Sequence, residues 1–303
     1  MTPLLSRLIF AAAIAASAAC GRMEQSARAR PGDGATIFQS TILTMDPRRP
    51  SAEAVIVKDG VIVDVGGIDD LVQAYPGAAF DERFLRRTLM PAFVDVRLPP
   101  NSPGVIDVPC QGAILAEEIA AGSTNGRPIR VVASGQVALA AAIEAVRRIP
   151  AKAAIGRLSI EGRGTVSPET VELLTALNVA LILSDEVLPD ACDPPPRSGD
   201  GENNGAMFPI SGVIAIAPAE GDNRFLAAAG KRLLDSGPLR LAPQEALEAI
   251  TTDAAFALGE EASRGVIAPG RRATFAVLDR NPLATPAETW AAISGEAFST
   301  AAQ

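Results

Sequence analysis

The sequence predicts an α/β fold built on a parallel sheet, with β-rich segments at both ends. Between residues 105 and 234, short apolar runs of strand length alternate with segments whose apolar residues recur at helical spacing. Such alternation implies βαβ units, whose strands lie parallel. Ahead of that region the chain is rich in Val, Ile and Thr, and after residue 265 β character returns.

Ala35 to Met45 and Ala54 to Val65 read as strands, and Lys58-Asp59-Gly60 interrupts the second run as a tight hairpin turn would. Ile68 to Tyr75 reads as a short helix stopped by Pro76-Gly77, and Thr88 to Val96 as a strand. Strands follow at Val105 to Val108, Ile129 to Ala133, Leu158 to Glu161, Val179 to Ser184 and Ile210 to Ala217. Helices at Ala113 to Ala121, Val137 to Arg148, Pro168 to Leu177 and Asn223 to Leu234 separate most of them, with Ser167-Pro168 and Asp222 as start signals. Asp190 to Gly205, with its three consecutive prolines, predicts a long surface loop. Leu241 to Leu258 predicts one helix, opened near Pro243 and closed by Gly259, and Gly265 to Ile267 and Thr274 to Leu278 predict strands.

With 303 residues, 48% of them hydrophobic and 20% charged, the chain can bury one large core or two modest ones. The formal charge of -8, with no stripe of Lys and Arg, argues against nucleic acid as a partner. There is no histidine, which excludes histidine-dependent catalysis and imidazole-ligated metal sites. Leu8 to Ala19 is an unbroken run of apolar and small residues after Arg7, too short to span a bilayer. Its end, Ser17-Ala18-Ala19-Cys20, resembles a bacterial lipoprotein processing site. That resemblance implies a lipid on Cys20, membrane attachment through it, and a periplasmic place at the cell envelope; cleavage near Ala19 with release to the periplasm, or an uncleaved anchor, are the alternatives. Residues 21–34 then read as a polar tether. Cys110 and Cys192 suit either one disulfide or two buried thiols.

Four segments in order resemble the amidohydrolase superfamily of metal-dependent hydrolases. They are Thr44 to Gly67 (TMDPRRPSAEAVIVKDGVIVDVGG), Leu89 to Pro99 (LMPAFVDVRLP), Ser134 to Ser184, and Leu241 to Leu283, which contains LAPQEALEAITTDAAFALG and RGVIAPGRRATFAVLDRNPL. The resemblance implies a TIM-like (β/α) barrel over residues 88–261 and a small composite β-sandwich formed by residues 35–87 and 262–303. Residues 88–261 number 174, whereas a full barrel takes about 250 and rarely fewer than roughly 200. A reduced or incomplete barrel follows, with the deletion between Pro99 and Ile129 and with strand edges that loops, a protein partner or a second copy would cover.

In such an enzyme histidines and an aspartate converge at the carboxyl ends of the strands to hold metal. The resemblance places those ligands at Arg97 and Pro99, Val132, Gly162 and Ile216, so none is retained, and no metal or other cofactor is expected. Asp95, within FVDV, reads either as a catalytic carboxylate at a barrel mouth or as a strand aspartate bonded to nearby backbone, and Asp185 and Glu186, at the end of a strand, either as paired carboxylates for acid/base work or as an ordinary solvated turn. Arg97 reads either as an anion-binding group in the old pocket or as a surface arginine. Asp200, Glu202 and Asn204 imitate a calcium loop but meet Ser211 where the final glutamate is required. The expectation is a catalytically degenerate amidohydrolase-like lipoprotein with a binding or scaffold role and no identified ligand or partner. A carboxylate-based hydrolase of carbon-nitrogen bonds and a decaying gene product are the alternatives.

Overall fold

The computed structural model describes residues 30–97, 104–108, 114, 116–122, 126–133, 135–149, 156–162, 166–184, 213–218, 224–235 and 240–300. Cys20, Cys110, Cys192, the tether before Arg30, the Asp190 to Gly205 segment and the calcium-like sequence lie outside the described residues.

The β-rich ends form one seven-stranded sheet, with β12-β11-β5-β1-β2-β3 as its order and β4 beside β1. β1 (Thr36–Leu43), β2 (Ser51–Lys58) and β3 (Val61–Gly66) run antiparallel in turn. The turn between β2 and β3 uses Asp59 at φ 50° and Gly60 at φ 76°. Two successive positive φ angles make the hairpin turn whose twist suits antiparallel strands, and Asp-Gly is the pair that adopts it with least strain. Helix α1 (Ile68–Ala74) leads to β4 (Ala79–Asp81) and β5 (Thr88–Pro91), both parallel to β1. β11 (Thr274–Leu278) pairs with β5, and β12 (Gly295–Ser299) with β11. The sheet curls until Ile62 N donates to Arg271 O and Gly270 N to Ile62 O, each at 2.8 Å. Inside the curl lie Phe38, Ile42, Val55, Leu89, Phe275 and Val277, with Phe38, Phe84 and Phe298 in mutual ring contact.

The second sheet has five parallel strands in chain order: β6 (Val105–Val108), β7 (Ile129–Ala133), β8 (Leu158–Gly162), β9 (Ala180–Ser184) and β10 (Ile214–Ala217). Helices α2 (Ala116–Gly122), α3 (Gln136–Arg147), α4 (Pro168–Ala176) and α5 (Arg224–Leu234) pack on one face, called outer below. Ser167 caps α4 by accepting from Thr170 N, and Pro168 begins the helix, as the sequence predicts. Sequential parallel strands with helices on one face are the wall of a (β/α) barrel. Among the described residues that wall does not close, in agreement with a reduced barrel.

Three predicted elements are corrected, the first being Gly265 to Ile267, which is not a strand but a bend turned at Gly265, φ 92°. Thr88 to Val96 is not one strand: Thr88–Pro91 belongs to the curled sheet, and residues 92–97 run on extended toward the barrel wall. Leu241 to Leu258 is not one helix but α6 (Pro243–Glu248) and α7 (Thr252–Ala257), parted at Thr251 with φ -130° and ψ -87°. The break has a hydrogen-bonding cause. Ala249 O accepts from Ile216 N and Ile250 O from Val94 N, both at 3.0 Å. A continuous helix would keep those carbonyls for itself and leave the edge of β10 unsatisfied.

Trp290, in a 3-10 turn at Ala287–Ala292, is 1% exposed and packs on α5, where its Cβ would lie 3.0 Å from any Cβ placed at Gly230. Its indole N–H donates to Thr285 O at 3.1 Å. Trp290→Ala is expected to cost about 3–5 kcal/mol of stability, as loss of a buried aromatic does. Urea unfolding followed by circular dichroism, since the only tryptophan is then gone, checks this; a loss below about 1 kcal/mol would show that the turn is not tied to α5 in solution.

Candidate functional site

The barrel wall has two faces that alternate along every strand. Ile129, Val131, Ile160, Leu181, Leu183, Ile214 and Ile216 join the outer core with the helices. Ala180, Ile182, Ala215 and Ala217 point to the other, inner face, where a barrel keeps its lumen, and pack there against Val94, Val96, Ala254, Ala255 and Ala257. Helix α7 and residues 94–96 thus lie over the inner face at β9 and β10.

Strand register locates the polar residues of that inner face. Asp107, Val132, Glu161, Ile182 and Ala215 are successive cross-strand neighbours and form one row, so Glu161 shares the inner face with Val132 and Ile182. Arg130 lies two residues before Val132 on the same face. Arg130 Nη1 stands 3.3 Å from Glu161 Oε2, with the two side chains only 10% and 3% exposed. Ser159, between them in register, donates to Ile129 O at 3.3 Å. Asp107, on edge strand β6, is exposed.

Of the vacant ligand positions, Val132 faces inward. Gly162 does not: a Cβ there would meet Val166 and Leu181 of the outer core, and Ile216 belongs to that core as well. The inward neighbours are Glu161 and Ala217. Pro99 lies outside the described residues, as do the candidates Asp185 and Glu186.

Asp95 and Arg97 sit in the extended segment before the barrel. Val94 and Val96 take the inner face, while Phe93 meets Phe225 of α5 at 5.4 Å between ring centroids. Asp95 turns the same way as Phe93. Its Oδ2 accepts from Arg224 Nη2 at 3.0 Å, and its Oδ1 accepts from Arg97 N at 3.0 Å with Arg97 Nε at 3.6 Å. Arg97 also donates to Pro218 O, just beyond β10. The structure therefore uses both residues to tie residues 92–97 to α5 and to the end of β10. Sequence reasoning missed Arg130 and Glu161, although an Arg and a Glu inside short apolar strands are departures worth noting, because such residues are seldom buried unless paired.

A divalent cation requires several anionic or neutral ligands that converge on it. Here Glu161 already faces the guanidinium of Arg130, and Asp95 lies between those of Arg97 and Arg224. Among the described residues no three carboxylates or thiols group around a common point. The described residues do not fit the metal that the family resemblance implies. A broad groove of about 1000 Å³ lies on the curled sheet, lined by Ser40, Arg49, Glu53, Asp64 and Asp70, none of which belongs to the barrel wall.

Residues 227–297 match the amidohydrolase family, a stretch that contains the Leu241 to Leu283 segment. The fold is similar to that of an amidohydrolase from Thermotoga maritima (13% identity, 87% of this chain and 98% of that one, TM-score 0.52). It is similar also to the A. niger ochratoxinase (13%, 86% and 93%, TM-score 0.57). The chain is amidohydrolase-like. Helicobacter pylori aminofutalosine deaminase is a further structural match (12%, 86% and 97%, TM-score 0.52). At such identities the likeness concerns the fold alone, and comparison with curated proteins finds no match.

Removing one partner of the Arg130–Glu161 pair leaves a buried charge, so Arg130→Met alone is expected to lose about 3–5 kcal/mol. Arg130→Met with Glu161→Leu is expected to regain most of that, as apolar replacement of buried pairs does. Chemical denaturation of the single and double variants checks this; additive losses would show that the two side chains act separately.

Proposed function

We propose that this amidohydrolase-like chain has given up metal-dependent hydrolysis and serves as a binding or scaffold protein at the cell envelope, attached by a lipid on Cys20. The observation that carries the first half is the inner face itself. Where metal-dependent chemistry needs convergent donors around an open position, this chain offers Val132, Ile182, Ala215 and Ala217 and a carboxylate paired with a buried guanidinium. Among the described residues metal activation of water has no donor set to rest on, and with no histidine in the sequence the usual neutral-pH base is missing as well. The envelope half rests on the apolar run Leu8 to Ala19 and the small residues before Cys20. Family descent says nothing of a ligand, and a retained fold can serve through its surface alone.

Two measurements test the two halves separately. Elemental analysis of the purified chain, with hydrolysis assays on cyclic and N-acyl amides, is expected to find neither tightly held metal nor turnover. One equivalent of metal per chain, with turnover abolished by a chelator, would overturn the degenerate reading. For the envelope, metabolic labelling with a fatty acid is expected to mark the chain and to fail for Cys20→Ser, which should leave the membrane fraction. Equal labelling of the variant would refute lipidation at that residue.

A further inference from the structure

Helix α7 has only six residues and is broken at both ends, by Thr251 before it and by Gly259, at φ 70°, after it. A helix so short is not stable alone and is held by what it packs on, here Ala180, Ile182, Ala215 and Ala217 of the inner face. Its one titratable side chain is Asp253, half-buried, whose Oδ2 accepts from Ile214 N, the first residue of β10, at 3.1 Å. This bond spans from the cover to the strand that it covers. Among the described residues no guanidinium or ammonium lies within ion-pair distance of Asp253.

The charged groups around it have the wrong sign to help it ionise. From α6, Glu245 and Glu248 both oppose a negative charge at Asp253. Each is held by a neutral donor, Glu245 by Ala242 N and Glu248 by the Gln244 amide. β9 and β10 contribute no titratable group in Ala180–Ser184 or Ile214–Ala217. Arg157, which lies over the ring of Phe256 on α7, is paired with Glu261. The hydroxyls of Thr251 and Thr252 are turned to Leu247 O and Glu248 O.

We propose that Asp253 is a proton-operated latch: protonated, it holds α7 over the inner face of the barrel wall, and ionised, it loosens α7 and uncovers Ile182, Ala215 and Ala217. Burial of the carboxyl, the largest effect, pushes its pKa up to about 7, against a weaker opposing pull from the Ile214 N–H and with added repulsion from Glu248 and Glu245. The closed form thus binds the proton more tightly than an open form with an ordinary carboxyl does. By linkage the latch is fully closed below the ordinary carboxylate range and weakens as pH rises toward about 7, where the effect levels off. The inference is independent of whether the chain is an enzyme.

Hydrogen exchange at Ile214 N and along α7, corrected for the pH dependence of intrinsic exchange, tests it. Between about pH 5 and pH 8, protection is expected to fall on the order of fifty-fold. Asp253→Asn keeps an acceptor for Ile214 N but cannot ionise, so its protection should stay flat over that range. Protection in the unaltered chain that does not change, or an equal fall in Asp253→Asn, would overturn the latch. Should the variant fail to fold, carboxyl carbon NMR of Asp253 in the unaltered chain decides: a midpoint near neutrality supports the latch, and one in the ordinary carboxylate range overturns it.

Discussion

A parallel sheet that stops short of closing has two apolar faces and only one set of crossover helices, so its second face must be covered by something else. In a closed barrel the opposite wall fills that role. Here Val94, Val96 and the alanines of α7 cover the inner side of β9 and β10. Much of the local structure follows from that need. The extended run of residues 92–97 lies where it can place two valines on the sheet, and its alternate residues, Phe93 and Asp95, are left to engage α5. Alanines predominate on both surfaces of that contact, Ala254, Ala255 and Ala257 meeting Ala180, Ala215 and Ala217.

The same need explains why the helix predicted over Leu241 to Leu258 is broken. Apolar periodicity runs through Ala249 to Thr251 without interruption, and neither glycine nor proline marks the break. The gain that breaks it is tertiary: two carbonyls satisfy N–H groups at Ile216 and Val94, and the chain re-enters a helix on the other side of the sheet. Nothing local in the sequence announces such a bond. By contrast the Asp59-Gly60 turn, the Ser167-Pro168 helix start and the alternation of strands with helices were legible, because each depends on backbone preference within a few residues. β4 and β12 were not, since β4 is three residues long and β12 is largely exposed, leaving little pattern to read.

The candidate site was legible only as a set of losses. The family resemblance placed Val132, Gly162 and Ile216 on the inner face or within one residue of it, but a one-residue offset in a strand changes the face, as Gly162 and Ile216 illustrate. Register from the neighbouring strands, which no single sequence supplies, brings Glu161 rather than Gly162 into the row with Val132 and Ile182. The presence of a buried arginine there likewise depended on knowing which strand lies beside which.

Among the described residues, the carboxylates near the barrel wall are not arranged as those of an empty metal site are. A metal site leaves its carboxylates uncompensated until the ion arrives, and that standing charge makes a site bind. In this chain side chains of the protein itself supply the compensation: Glu161 faces Arg130 across adjacent strands, and Asp95 is held between Arg97 and Arg224. A divalent ion entering such a face would have to displace a guanidinium and leave it buried beside a cation, which opposes binding twice over. Asp253 differs, a carboxylate on the inner-face cover that faces two glutamates and, among the described residues, no cation. Among the described groups around it, none offers a positive charge to offset its own, so a proton is what relieves that charge.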